Sequence, residues 1–269
     1  MSQDDALAFR ALHAGPKILI LPNAWDAASA ALMADAGAKA VATSSAAVAW
    51  SHGYPDGDAL PAERLIATLE CVVEAIDAPV SADIEGGYSD DPAEVGALVA
   101  QVIDAGVVGI NMEDGQREPE LLCAKIAAAR EAAERAEVDL FINARTDVYL
   151  HRLAEGEAAL AEALRRAEMY AKAGADGIFV PGPTDPELIA RLVAGIEPPL
   201  NVMGRAGAPT AAELEALGVR RLSSATGPFR AAYAALAKAM AGFMTAGDAA
   251  ALAALGQGLP DLNTRFSGR

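Results

Sequence analysis

Histidine and cysteine are scarce in this chain, three and two residues among 269. His13, His52 and His151 are too scattered to suggest a zinc site, and Cys71 and Cys123 lie in Ala-rich, helix-like stretches that offer neither a disulfide framework nor a thiolate cluster. Basic residues are outnumbered, 21 against 37 acidic, and the formal charge of −16 repels phosphate backbones and anionic lipid headgroups, which argues against nucleic acid and membrane partners. No run reaches the roughly 20 apolar residues of a membrane span. The opening MSQDDALAFRALHAG has no basic segment followed by an apolar one, so a cytoplasmic location is expected. A dinucleotide-binding G-x-G-x-x-G is missing too, since PNAWDAAS follows the first apolar run. Aromatic residues make up only 5 % against 53 % hydrophobic, and the abundant Ala suits aliphatic strands packed on small-residue helix faces.

What the chain does have is rhythm. Eight short apolar or β-branched runs, at 17–23, 40–45, 79–84, 108–113, 140–145, 177–181, 200–203 and 221–224, alternate with amphipathic stretches at 27–36, 62–76, 92–105, 119–136, 157–173, 186–194, 211–217 and 229–240. Strict βα alternation implies a parallel sheet. Gly37, Gly106, Gly174 and Gly218 stand just before the next strand, where helix ends are expected. One α/β barrel uses about 250 residues, so residues 1–269 are expected to form a single (β/α)8 TIM barrel with an additional C-terminal helix. The stretches after the eighth unit, within 227–269, either pack on a neighbouring subunit or fray.

Active sites of such barrels lie at the C-terminal ends of the strands. Three successive strands carry polar residues two apart there, Asp83 and Glu85 in SADIE, Asn111 and Glu113 in INMED, Asn143 and Arg145 in INARTD. Two apart on a strand means one face, and the intervening Ile84, Met112 and Ala144 suit the helix-facing side. Carboxylates converging inside a barrel mouth need a cation or Arg145 to compensate them. All-oxygen ligands with room for water favour Mg2+, or Mn2+, over Ca2+ or Zn2+. A structural ion-pair network plugging the barrel is the plainer alternative. His52, Tyr54 and Tyr88 are candidate acids or bases, each more often a loop anchor, and Cys123 reads as a small buried helix thiol rather than a nucleophile.

PNAWDAASA, ATSSAAVAWSHGYPD, PVSADIEGGY, GINMEDG, FINARTDVY, AGADGIFVPG and PLNVM occur in that order. Together they resemble the isocitrate lyase / phosphoenolpyruvate mutase superfamily over nearly the whole chain. The resemblance implies a Mg2+-dependent barrel, commonly a homotetramer with exchanged C-terminal helices, here segment 227–269. It implies that Asp83 is the direct metal ligand, with Asp56, Glu85 and Glu113 holding the metal mainly through water. Ser44, Ser45 and Ala46 match the segment that binds a substrate carboxylate, Arg145 matches the arginine on the substrate oxygens, and Asp83 and Asn201 join the substrate-binding set. Arg145, Asp56 and Glu113 are the expected catalytic residues.

The departures matter as much. EDGQREPELLCAK lacks the K-[KR]-C-G-H signature of isocitrate and methylisocitrate lyases, so those two activities are not expected, and it is shorter than the gating segment of phosphonopyruvate-forming mutases. The expected function is a Mg2+-dependent lyase, decarboxylase or hydrolase. It would cleave a C–C bond next to a small 2-oxo acid or 2-hydroxy dicarboxylate through an enolate. The alternatives are P–C cleavage of a phosphonopyruvate-like substrate and a non-catalytic protein that binds 2-oxo acids.

Overall fold

The aliphatic runs become short parallel strands, with helices between them, in a computed structural model that describes residues 3–267. In chain order the elements are α1 (Gln3–Ala14), β1 (Leu19–Leu21), β2 (Asn23–Ala24), α2 (Ala27–Asp35), β3 (Val41–Thr43), α3 (Ser45–Ser51), α4 (Ala62–Ala75), β4 (Val80–Asp83), α5 (Pro92–Asp104), β5 (Gly109–Glu113), α6 (Pro119–Arg135), β6 (Phe141–Arg145), α7 (Gly156–Ala173), β7 (Gly177–Phe179), α8 (Pro186–Gly195), β8 (Leu200–Met203), α9 (Ala211–Leu217), β9 (Arg221–Ser223), α10 (Gly227–Ala246), α11 (Ala250–Gly256) and α12 (Leu262–Phe266). The helix starts are written in the sequence. Asp91 and Asp185 cap α5 and α8 with proline next in line, and Asp26 and Thr210 form capping boxes with Ser29 and Glu213.

The sheet runs β1-β9-β8-β7-β6-β5-β4-β3-β2, all pairs parallel. Its two ends, β1 and β2, are halves of one chain segment interrupted at Pro22, which has no N–H to give the ladder although its carbonyl still accepts from Ala42 at 2.9 Å. Nine strand segments therefore make the eight strands of a (β/α)8 barrel. Asn23 seals the junction: its Nδ2 donates to the Thr43 carbonyl (2.7 Å), its Oδ1 accepts from Ser224 N–H and Ala225 N–H (2.9 Å each), and its own N–H donates to Ser224 Oγ (2.8 Å).

Within the unit that ends at Ala225, two helices, α1 and α3, were not legible as elements. The first caps the barrel floor. Phe9, fully buried, packs with Leu19, Ala42, Val108 and Phe141, and His13 stacks on Phe141 with ring centroids 4.0 Å apart. His13 gives its Nδ1 contact to the Phe9 carbonyl (2.9 Å), and burial drives its pKa down to about 3, so the imidazole is neutral. Above this floor lies a layer of amides. Asn143 Nδ2 donates to Asn111 Oδ1 (2.8 Å) and Asn201 Oδ1 (3.1 Å), and Arg221 crosses from β9 to donate Nη2 to Asn111 Oδ1 (3.0 Å).

The chain divides into two compact units, one ending at Ala225 and one beginning at Thr226. The second consists of α10, α11 and α12; within it Phe229 and Tyr233 stack at 4.0 Å and α10 ends at Gly247. Among the described residues no helix is long and apolar enough to cross a membrane.

A methyl group on Gly109 would stand 2.5 Å from the Phe9 ring and 3.2 Å from Ser81 Oγ, so this floor position admits no side chain without displacing α1. Gly109→Ala is expected to cost about 1–3 kcal/mol in urea unfolding, the usual range for overpacking a filled core; an unchanged midpoint would mean that α1 yields freely.

Candidate active site

Strands β3 to β6 end at one rim, and the paired residues meet there. Asp83, the last residue of β4, gives its N–H to Thr43 Oγ1 (2.9 Å), while its Oδ2 accepts from Ser45 Oγ (3.1 Å) and the Ser45 N–H (3.3 Å). Ser44 N-caps α3, so residues 44–46 form the turn that carries the chain from β3 over the rim. Glu113 ends β5 opposite Arg145 at the end of β6 in register, and Arg145 Nη1 lies 2.5 Å from Glu113 Oε2. The other edge of the guanidinium is clamped by Asp147, Nε on Oδ1 at 2.6 Å and Nη2 on Oδ2 at 3.1 Å.

Glu85 reaches the site by a different route from the one its spacing suggests. The strand stops at Asp83, and Glu85 turns into the left-handed region (φ 52), so the two acids do not share a strand face. The turn is completed by a bond from Gly87 N–H to the Ile84 carbonyl (2.8 Å). Glu85 is nevertheless almost wholly buried, because its Oε2 accepts the N–H groups of Gly57 (2.8 Å) and Asp58, and its Oε1 accepts from Tyr88 Oη (3.1 Å). Asp58 answers in kind, its Oδ1 accepting from Gly86 N–H (3.0 Å) and Tyr88 N–H (3.1 Å). The loop carrying Asp56 is thereby stitched to the turn after β4. Gly86 lies so close beneath Asp58 that a Cβ would come within 2.8 Å of its carboxylate. Lys125 of α6 supports the same turn through the Gly86 carbonyl (2.7 Å), and Arg117 spans Asp58 and Asp90 (3.4 and 2.8 Å).

Asp56 faces solvent over the rim. Partial enclosure, then the charge of Asp83, pushes its carboxyl upward against the pull of Arg145 and Ser45. Burial pushes Glu85 up to about 7, partly offset by the Asp58 N–H, with Asp56, Asp83 and Asp58 adding to the rise. Glu113 is also raised, by burial first and by Asp83, Asp147 and Asp56, although Arg145 pulls the other way while sharing its single charge with Asp147. Asp56, Asp83, Glu85 and Glu113 thus share one electrostatic neighbourhood that is short of positive charge. An all-oxygen set of this kind suits a hard cation. Among the described residues no three acid, histidine or thiol groups surround one point as a cage. The donor set therefore suits an ion that keeps water ligands rather than one enclosed by protein oxygens. Mg2+ is commonly bound that way.

Asn201 stands apart from this group. Its amide is used inside the barrel, Nδ2 on the carbonyls of Val202 and Arg221 (2.8 and 3.2 Å) and on Ser223 Oγ (3.2 Å), with Oδ1 taken by Asn143. His52 is tied to Thr68 Oγ1 of α4 (2.9 Å), the anchor role weighed for it in the sequence. Cys123 is half-buried on α6, where burial raises its thiol pKa. Four contributors escaped the sequence reading. Asp147 has the same two-residue offset from Arg145 that flagged the other pairs. Asp114, Arg166 and Tyr170 form a buried set, and the visible signal was an arginine and a tyrosine four apart on the inward face of α7.

The sequence profile of the family described as phosphoenolpyruvate phosphomutase matches residues 9–244. A 2,3-dimethylmalate lyase of Eubacterium barkeri is 32 % identical over 231 residues, which cover 79 % of this chain and 77 % of the lyase. Among solved structures, a candidate phosphonomutase of Burkholderia cenocepacia J2315 is 45 % identical, with a TM-score of 0.84 over 87 % of this chain and 98 % of that one. A phosphonopyruvate hydrolase solved with oxalate and Mg2+ is 25 % identical, with a TM-score of 0.86 over 100 % and 96 % of the two chains.

The raised carboxyls have a thermodynamic signature. Glu85 binds its proton more tightly folded than unfolded, so its contribution to stability is complete below the ordinary value of 4.5 and is lost as pH rises through about 7. Glu113 acts in the same direction. In chelator, the melting temperature is expected to fall by several degrees between about pH 5 and pH 8, and saturating Mg2+ is expected to flatten that slope. A profile unaffected by Mg2+ would show that no cation relieves these carboxylates.

Proposed function

The chain belongs to the phosphoenolpyruvate phosphomutase family, within the isocitrate lyase / phosphoenolpyruvate mutase superfamily, and on that premise we propose that it is a Mg2+-dependent enzyme that cleaves a C–C bond beside a small 2-oxo acid or 2-hydroxy dicarboxylate through an enolate. The observation that carries this reading is that Arg145, ion-paired to Glu113, shares its electrostatic neighbourhood at the barrel rim with Asp56 and Asp83. The comparisons support it at the level of the class, through the names lyase and hydrolase and through the oxalate and Mg2+ bound by one structural neighbour.

In this proposal Asp83 is the direct metal ligand, with Asp56, Glu85 and Glu113 around it, and Mn2+ can serve in place of Mg2+. The bound cation supplies Lewis-acid stabilisation of the oxygen on which enolate charge gathers. Arg145 supplies a second, fixed positive charge toward the same substrate oxygens, which is worth most where water is excluded. Residues 44–46 receive the substrate carboxylate, and Asn201 supports the substrate set from below. Glu113, raised to about 8, can hold a proton at neutral pH and deliver it to the carbon released by cleavage, and Asp56, whose carboxyl is raised by the same neighbours, stands beside it. Glu85 bonds the N–H groups of the Asp56 loop and so keeps that loop over the rim.

Two neighbouring readings each have an observation behind them. P–C cleavage of a phosphonopyruvate-like substrate is supported by the likeness to the candidate phosphonomutase and to the phosphonopyruvate hydrolase. Binding without turnover is supported by the short loop after β5, where Gln116 and Arg117 stand and Arg117 is tied to Asp58 and Asp90. The assembly belongs to the proposal as well, as a homotetramer in which segment 227–269 is exchanged between subunits. One support lies in the barrel unit, where Ile20 of β1 is 59 % exposed beside an apolar groove of about 620 Å³ lined by Leu12, Ile18, Pro22 and Met33. The other lies on α10, whose Tyr233, Leu236, Phe243 and Met244 are exposed.

Incubation with Mg2+ and a panel of 2-oxo acids, 2-hydroxy diacids and phosphonopyruvate, followed by NMR, is expected to show Mg2+-dependent loss of one C–C substrate. Phosphate release from phosphonopyruvate would select the P–C reading, and saturable binding without product the binding protein. Asp83→Ala is expected to lower Mg2+ affinity at least tenfold by calorimetry; unchanged affinity would remove the metal site from the proposal. By light scattering a mass of about four times 27.5 kDa is expected, and Ile20→Glu is expected to reduce it; a monomeric native chain would remove the assembly.

A further inference from the structure

Arg145 is useful to a substrate only if its guanidinium plane is already set, and an arginine at the end of a strand has four rotatable bonds to lose. The structure supplies the constraint from outside the rim. Asp147 grips the Nε and Nη2 edge, which leaves Nη1, now on Glu113, as the nitrogen with freedom to exchange partners. Asp147 itself lies beyond β6 in a loop, where nothing in the sheet fixes it.

A second acid fixes it. Asp114 Oδ1 accepts the Asp147 N–H at 2.8 Å, and the Asp114 N–H donates to the Arg145 carbonyl at 3.2 Å, so this one residue holds both the backbone of the arginine and the anchor of its side chain. Asp114 is 1 % exposed. Its Oδ2 is met by two donors from the inner face of α7, Tyr170 Oη at 2.6 Å and Arg166 Nη1 at 2.9 Å, and Arg166 is in turn held by Glu162 (2.6 Å). A carboxylate this deep is costly unless all of its lone pairs are answered, and here backbone and side-chain donors occupy both oxygens. The path runs from the outer helix layer to the rim in three contacts: Tyr170 to Asp114, Asp114 to Asp147, Asp147 to Arg145.

We infer that Asp147, Asp114 and Tyr170 are positioning residues that set the Arg145 guanidinium for a substrate anion. This rests on the assignment of Arg145 to the substrate oxygens. In this arrangement Asp147 is the permanent partner and Glu113 the exchangeable one. Glu113 can turn toward a cation while Arg145 keeps its plane, and Nη1 then meets the incoming carboxylate or carbonyl oxygen. None of the three positioning residues touches the ligand.

The test uses the full-length protein with oxalate as the probe. Nitrogen-15 NMR of the arginine Nε–H groups, with Arg145 assigned through Arg145→Lys, is expected to give a sharp, slowly exchanging Arg145 signal. Asp147→Asn and the distant Tyr170→Phe are expected to broaden that signal and to raise the oxalate Kd at saturating Mg2+ tenfold or more for Asp147→Asn and several-fold for Tyr170→Phe. The Mg2+ Kd should change less than twofold. An Arg145 signal unchanged in both variants would overturn the inference, as would oxalate affinity, Mg2+ affinity and melting temperature falling in step. If the native protein binds no oxalate with Mg2+, the substrate assignment fails on that arm alone, while the Nε–H signal still decides whether the chain of contacts positions the arginine.

Discussion

Carboxylates gathered at the mouth of a closed sheet repel one another through a medium too dry to screen them, and much of the local architecture at this rim answers that repulsion. Asp83 is met by the hydroxyl and N–H of Ser45, Glu85 by two backbone N–H groups and a tyrosine, and Glu113 by half of one guanidinium. The left-handed turns at Asp58, Glu85 and Tyr88 are the backbone's share, since they aim successive N–H groups at carboxylate oxygens. The arginine is contested between two acids, so the rim stays short of positive charge, a deficit that a proton or an added cation would relieve.

Beneath the rim, the barrel changes chemistry by layer. The floor is aliphatic and aromatic around Phe9 and Phe141, the middle is a ladder of asparagine amides, and only the top is ionic. Arg221 belongs to the middle layer. Burial lowers its pKa, and the acid that opposes this is Asp83, so the same carboxylate that faces the rim also balances a charge from below. Amides suit that boundary because they can accept from a guanidinium on one side and donate to backbone carbonyls on the other, as Asn111 and Asn201 do.

The alternation of apolar runs and amphipathic stretches was enough to read the barrel, because most strands are buried on both faces and the helices between them on one. Pro22 was visible but its effect was not, since whether a proline ends a strand or merely notches it depends on the neighbour that donates to its carbonyl. The helix α1 was hidden in a polar opening whose burial rests on Ala6, Phe9 and His13. At the rim, period-two spacing placed Glu113 and Arg145 at the ends of β5 and β6, where the strand pairing sets them side by side. It placed Glu85 near the right spot for the wrong reason, because a turn rather than a strand delivers it. Asp114 and its helix partners were illegible for a deeper cause, since their role depends on α7 lying against the loops after β5 and β6, and no local pattern encodes that juxtaposition.

The floor has a consequence for traffic. With Phe9 pressed against Gly109 and His13 stacked on Phe141, the barrel is a blind alley with one doorway. Two fragments formed at the rim by the proposed cleavage would leave past the same loops, the one nearer the door first. The order of departure would then be written in the plumbing of the fold rather than in the chemistry of the bond.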